Sequence, residues 1–134
     1  MSVDAEAVAG RLIEAFGAID FDGMRAQLGD DLRAYITNAA GGVDEVVGAD
    51  EYLGRIEAMD LPSARFRIDV TQSVAVRPDL AMVMVEVHAA RGSRTLHNHA
   101  AHLLRTRDGK VSEWWMVEAL PAESDAFWAA DAAD

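Results

Sequence analysis

The chain has no cysteine in its 134 residues, which excludes disulfides, thiolate nucleophiles and thiolate metal sites. Cations are few: 12 Lys and Arg stand against 23 Asp and Glu, a net charge of −11. Nucleic acids and anionic membrane surfaces are polyanions held by clustered Lys and Arg. The cations here are scattered, so neither is an expected partner. No apolar run approaches the ~20 residues of a membrane-spanning helix. The opening MSVDAEAVAG lacks a basic stretch followed by an apolar one. It does not read as a signal peptide, and a cytoplasmic location is expected. Repeats, low-complexity stretches and linkers are also missing. With 51% hydrophobic residues, one domain is expected across 1–134, its core spanning about 5–128.

What is present changes period midway. In VDAEAVAGRLIEAFGAI, Val8, Leu12, Ile13 and Phe16 recur at helical spacing behind Asp4, a natural cap. DFDGMRAQLGDDL reads as a short second helix started by Asp20 or Asp22. RAYIT reads as a short strand, NAAGGVDEVVG as turn-rich, and ADEYLGRIEAM as a third helix capped by Asp50. Then RFRIDVTQSVAV alternates, with Phe66, Ile68, Val70, Val74 and Val76 on one face of a half-buried strand. LAMVMVEVHAA, TLHNHAAHLLRT and KVSEWWMVEAL follow as strands, separated by the turns RGSR and RDG. PAESDAFWAADAAD reads as a short helix and a frayed tail. Helices first and a four-strand antiparallel meander second indicate an α+β fold, with helices packed on one face of a curved sheet.

The turns decide which side chains share a face. RGSR places Ala90 opposite Thr95, hence His88 opposite His97 and Glu86 opposite His99. Asp108-Gly109 fits a two-residue turn. It also fits a three-residue turn, Arg107 to Gly109, followed by a bulge. We prefer the second, which sets His102 opposite Trp114, Ala100 opposite Met116 and Asn98 opposite Glu118. Arg105 and Glu113 then share the other face. Because successive side chains alternate, His97 and His99 are separated from His102, and the geometry disfavours one site using all three.

On the inner face stand Asn98, His102 and Glu118 among apolar residues. His102 is either a core histidine with its hydrogen bond satisfied or one half of an acid–base pair with Glu118, whose carboxyl burial would raise. Tyr35 is either rim packing or a donor to a developing oxyanion. Asn98, Trp114 and Met116, with Phe16 and Val85, form the expected ligand lining, although Trp114 and Met116 also suit plain core. On the outer face Glu86, His88, His97 and His99 are either a polar cross-strand ladder or ligands for zinc, copper or nickel. The ladder is preferred, and no metal or other cofactor is expected. Trp115, Met84, Val117 and Ala101 lie beside them, too apolar to stay uncovered.

IDFDGMRAQLGDDLRAY, VVGADEYLGRI, HLLRTRDGKVSEWW and DAFW, in this order, resemble the nuclear transport factor 2-like superfamily, also called SnoaL-like or ketosteroid-isomerase-like. The motifs are individually loose and together span nearly the whole chain. The resemblance implies a cystatin-like, cone-shaped α+β barrel in which a curved sheet wraps a long helix and leaves a pocket. Similar proteins include isomerases, dehydratases, epoxide hydrolases, polyketide cyclases and non-catalytic binding proteins. They often dimerise sheet against sheet. The implied partner is therefore a second copy on the convex face, around Trp115, His97, His99 and Glu86.

This chain departs from several of those activities. Where similar ketosteroid isomerases carry an acid on the penultimate strand, His102 stands at or next to the position. Their general base would fall within TNAAGG, which has no acid, and residues 5–19 hold no tyrosine. The acids and arginine of similar limonene epoxide hydrolases have no counterpart on the inner face of TLHNHAAHLL. Similar dehydratases use a tyrosine, a histidine and a carboxylate, and Tyr35, His102 and Glu118 supply such a set. The expectation is a cofactor-independent lyase or isomerase acting on a small hydrophobic, oxygenated molecule. The alternative is a non-catalytic ligand-binding or dimeric interaction domain.

Overall fold

A computed structural model describes residues 4–129; the expected frayed tail lies outside them. Helix α1 (Ala5–Gly17) starts at Asp4, whose carboxylate accepts from Ala7 N–H at 2.9 Å. This satisfies one of the donors orphaned at a helix start. Its Val8, Leu12, Ile13 and Phe16 are buried, as the spacing requires. Helix α2 (Phe21–Gln27) is capped by Asp20 in the same way. The chain leaves it sooner than expected, because Leu28–Thr37 is already strand β1. The turn-rich segment contains a further strand, β2 (Val43–Val47), folded back on β1. Helix α3 (Ala49–Ala58) begins after Gly48, whose φ of 96° suits glycine. Asp50 therefore does not cap it. It stands in the first turn and pairs with Arg25.

After a 3₁₀ turn, Leu61–Ala64, come β3 (Arg67–Arg77), β4 (Leu80–Arg91), β5 (Arg94–Arg107) and β6 (Lys110–Glu118). Helix α4 (Pro121–Ala129) ends the described chain. The meander of four antiparallel strands is present, but the sheet has six strands, in the order β2-β1-β6-β5-β4-β3. β1 runs parallel to β6, a long-range pairing that no local turn announces. The result is the expected α+β, cystatin-like architecture. Helix α1 packs across the inner face of β3 to β6, and α3 covers the β1–β2 end.

Register shifts adjust the faces. The β5–β6 hairpin uses the two-residue turn, with Asp108 and Gly109 both at positive φ and Arg107 opposite Lys110. This is the geometry that matches strand twist, and it overturns the preferred three-residue turn. A bulge follows, between the pairs Thr106–Val111 and Arg105–Glu113. Beyond it His102 opposes Met116, Leu104 opposes Trp114 and Ala100 opposes Glu118. The register is thus two residues from the expected one. Two is the period of side-chain alternation, so beyond the bulge Glu113 to Glu118 keep their expected faces, whereas before it Val111 rather than Lys110 stands opposite Thr106 and is buried. Across the β4–β5 turn, His88 opposes His97 and Glu86 opposes His99, as expected. In β3 the register shifts at Thr71, whose hydroxyl donates to Met84 C=O. Ser73 then turns inward beside Val83, and Val74 turns outward beside Met82. This edge strand is mostly exposed rather than half-buried.

Candidate functional site

The inner face and its helices enclose a cavity of about 160 Å³. Phe16 and Ile56 line it from α1 and α3, and Phe66, Val87, Ala100 and Met116 line it from the sheet side. Polar groups reach it from three directions: Asn98, His102 and Glu118 from β5 and β6, Tyr52 and Arg55 from α3, and Ser124 and Asp125 from α4. A mostly apolar wall with a few convergent polar groups is the common form of a small-molecule site.

His102 is buried, with 5% of its surface exposed. Burial alone pulls its pKa down to about 4, so the ring is neutral near pH 7. The Trp114 indole N–H donates to its Nδ1 at 2.9 Å. An indole can only donate, so Nδ1 carries the lone pair and the ring proton sits on Nε2. His102 is therefore a neutral donor through Nε2–H.

Glu118 is half-buried. Loss of solvent raises its pKa, and the nearby Asp125 adds to the rise. The Ser124 hydroxyl, Arg55 and Thr37 oppose it. Ser124 Oγ–H donates to its Oε1 at 2.8 Å, and Asn98 Nδ2 approaches the same oxygen at 3.4 Å. The Asn98 carbonyl oxygen is engaged by the backbone N–H groups of His99 and Leu120. These bonds fix the amide and aim its NH₂ at Glu118. Arg55, at the partly exposed side of the cavity, pairs with Asp44 at 3.0 Å. Asn38 and Arg55 together hold the Asp44 carboxyl below the usual range. Helix α4 is tied to the rest of the site by Asp125, which accepts from Ala39 N–H at 2.8 Å.

Of the residues expected at the site, Glu118, His102, Asn98, Met116 and Phe16 come together around the cavity. Tyr35 does not. Leu32 and Ala34 are buried inward on β1, so alternation sends Tyr35 to the outer face, where it stacks on Trp115 at 5.7 Å. Trp114 and Val85 face inward but are packed as core. Trp114 acts on the cavity through its bond to His102. The tyrosine in the cavity is Tyr52, fully buried, tilted against Trp114 at 4.7 Å and with its hydroxyl 3.8 Å from Met116 Sδ. Burial raises its pKa far enough that the hydroxyl stays protonated. Two signals pointed to the residues that sequence reasoning left as packing. Tyr52 and Ile56 are four apart on α3, and Ser124 and Trp128 are four apart on α4. Each pair therefore presents one helix face.

No helix among the described residues is long and apolar enough to cross a membrane. The backbone resembles several solved structures. Bal32a, from a soil-derived mobile gene cassette, superposes with a TM-score of 0.80 at 12% identity, covering 91% of this chain and 94% of that one. A protein from Jannaschia sp. CCS1, provisionally assigned as a SnoaL-like polyketide cyclase, gives 0.75 at 16% identity, covering 98% and 97%. An LEH-like epoxide hydrolase of M. tuberculosis gives 0.72 at 17% identity, covering 92% and 90%. At such identities the likeness concerns the fold alone, and the differing activities in these names show how little the fold decides. No curated protein matches the chain significantly. Residues 9–114 match the family model of the SnoaL-like domain, and the chain belongs to that family.

Proposed function

We propose that the protein is a cofactor-independent lyase or isomerase that removes a proton next to an oxygen function of a small, largely apolar molecule. The whole chain acts as one domain in this reading. Glu118 takes the proton from carbon, through the oxygen not held by Ser124. The Nε2–H of His102 donates to the substrate oxygen on which negative charge develops. A neutral imidazole suits that task, since it stabilises the oxyanion without surrendering its own proton. Tyr52, rather than Tyr35, is the hydroxyl available to assist.

The observation that carries this reading is the pairing of two opposite perturbations in one cavity. Burial makes the carboxylate more basic and keeps the imidazole neutral. The volume of about 160 Å³ bounds the substrate. It is about half of the ~300 Å³ at the lower end of drug-sized pockets. A polycyclic substrate is disfavoured, and a single-ring or short-chain ketone or enone is favoured.

Proton abstraction can be followed without knowing the natural substrate. A small cyclic enone in deuterated buffer should exchange its acidic C–H faster with the protein present, read by NMR. Glu118→Gln should slow that exchange by about 100-fold or more. Binding of the enone with no exchange above buffer would favour the alternative, a non-catalytic ligand-binding domain.

The outer face supports a second element of the reading, a homodimer. Trp115, Met84, Val117 and Val74 form an apolar band across the sheet, with Val117 55% and Met84 39% exposed. A second copy packed on this band would bury it, with Glu86, His97 and His99 towards one end.

A further inference from the structure

We propose that Glu86, His88 and His97 form a binding site for a divalent transition-metal ion of the zinc class, on the outer face of the sheet. The proposal is independent of the cavity and of its reaction. It comes from the geometry of four side chains on adjacent strands. Glu86 and His88 are two residues apart on β4, and His97 and His99 are two apart on β5. The cross-strand pairs are His88–His97 and Glu86–His99. The four therefore stand at the corners of one square on the same face, with neighbours two apart along each strand and directly opposite across the ladder.

The polar atoms of three of them, Glu86, His88 and His97, lie close together, and His99 approaches Glu86. Glu86 Oε2 is 3.5 Å from His88 Nε2. Glu86 Oε1 is 3.7 Å from His97 Nε2 and 3.7 Å from His99 Nδ1. One ligand atom from each of Glu86, His88 and His97 can be chosen so that all lie within 4.8 Å of one another. These separations exceed the 2.7–3.2 Å of an N–H···O hydrogen bond. They approach the edge of a tetrahedron with bonds of about 2.1 Å, which is about 3.4 Å. The two Glu86 oxygens thus face one imidazole nitrogen each from His88 and His97, at distances a bound ion could bridge with small side-chain rotations. The His88 and His97 rings already lie face to face, with centroids 4.4 Å apart.

The donor set narrows the ion. Imidazole nitrogen with one carboxylate suits zinc, nickel or copper(II) rather than calcium or magnesium, which prefer all-oxygen sites. Three protein ligands leave a coordination position open to solvent, the arrangement of reactive rather than purely structural zinc sites. On the neighbouring strand Arg67 and Asp69 face the same region. They pair with each other at 2.9 Å. His99 reaches Glu86 from directly across the ladder and positions it, or supplies a fourth bond after a rotamer change. His102 cannot compete, since it is buried on the opposite face.

The test is uptake of Zn²⁺ by the untagged chain, titrated in competition with a chromophoric chelator. Co²⁺ serves as a spectroscopic stand-in, because its visible absorption reports imidazole coordination. One ion per chain is expected, with a tetrahedral Co²⁺ spectrum. His88→Ala, His97→Ala and Glu86→Gln should each weaken Zn²⁺ by more than about 100-fold, beyond the usual cost of losing an outer-shell partner. His99→Ala should weaken it by about tenfold. Glu118→Gln, in the cavity, should leave uptake unchanged. Circular dichroism checks that each variant is folded. The proposal is overturned by an absence of saturable uptake, by uptake that survives both His88→Ala and His97→Ala, or by uptake lost in Glu118→Gln.

Discussion

The two faces of this sheet are made from the same strands, yet they hold their polar groups by opposite means. Along β5, Asn98 and His102 point inward while His97 and His99 point outward. Inside, water is removed and each polar group has a designated partner: Trp114 for His102, and Ser124 and Asn98 for Glu118. Burial then sets the chemistry by shifting protonation. Outside, side-chain exposure reaches 56% at His97 and His99, and chemistry arises only where several groups converge, as they do at Glu86. The comparison teaches that a histidine-rich strand is not one site. Its side chains fall on two separate faces divided by alternation.

Adjacent tryptophans give the sharpest test of this division. Trp114 is fully buried between Tyr52 and His102, while Trp115 stacks on Tyr35 across the outer face. Trp114→Ala should cost about 3–5 kcal/mol, from lost transfer energy, a cavity and an orphaned His102 Nδ1. Trp115→Ala should cost about 1 kcal/mol. Urea denaturation of dilute protein measures both, and equal losses would break the comparison.

The second test uses acid. His102 has a folded pKa of about 4 against 6.5 for the free side chain. Protons therefore bind the unfolded chain more readily. The stability tied to neutral His102 is complete above pH 6.5 and is lost as pH falls towards 4. His102→Gln keeps an acceptor for Trp114 and removes the titration. Its stability should be flatter between pH 6.5 and 4 than that of the parent chain. A parallel decline in both proteins would show that other groups drive acid unfolding.

These contrasts also show what the sequence could reveal. Both faces of β4 and β5 were legible, because RGSR is short and alternation carries the assignment along the strand. The β5–β6 register was not, because Asp-Gly suits two turns and the compensating bulge near Ser112 has no sequence mark. Beyond the bulge the faces of β6 are as expected only because the offset equals the period; between Lys110 and Ser112 they are not. Tyr35 was misplaced although Leu32, Ala34 and Ile36 already alternate on β1. A strand read from Arg33 leaves out Leu28 and Leu32, the buried residues that precede Ala34. Tyr52 was missed because a helix shows which side chains share a face but not what that face meets. β2 lay hidden in a segment with two adjacent glycines, and its pairing depends on β1, itself held by the distant β6.

Glu118 gives a smaller effect with the opposite sign to that of His102. Burial raises its pKa, while Ser124, Arg55 and Thr37 offset part of the rise. The carboxylate is therefore the disfavoured form in the folded protein. The stability associated with Glu118 is complete below the ordinary carboxyl pKa and declines as pH rises through the raised one. Glu118→Gln keeps an acceptor for Ser124 and removes the buried charge. The variant should be more stable than the parent at pH 8, and the gap should close on acidification. Thermal melts at pH 8 and pH 4 decide it. A variant less stable at pH 8 would mean that the carboxylate's hydrogen bonds outweigh its desolvation.

The smallest effect on folding is expected where the effect on assembly is largest. Val117 lies at the apolar centre of the outer face and is 55% exposed. Replacing it with lysine removes little buried area, so the chain's own stability should change by no more than about 0.5 kcal/mol. A sheet-to-sheet dimer would instead bury that lysine beside its symmetry copy. Like charges at a desolvated two-fold contact oppose association strongly. Light scattering at micromolar concentration should then report a dimer for the parent chain and 14.5 kDa for Val117→Lys. If the parent chain also weighs 14.5 kDa, the apolar band is not a self-contact. A dimer that persists in the variant would place the two-fold axis elsewhere. The comparison between faces would hold either way, since the inner one is defined by burial within a single chain.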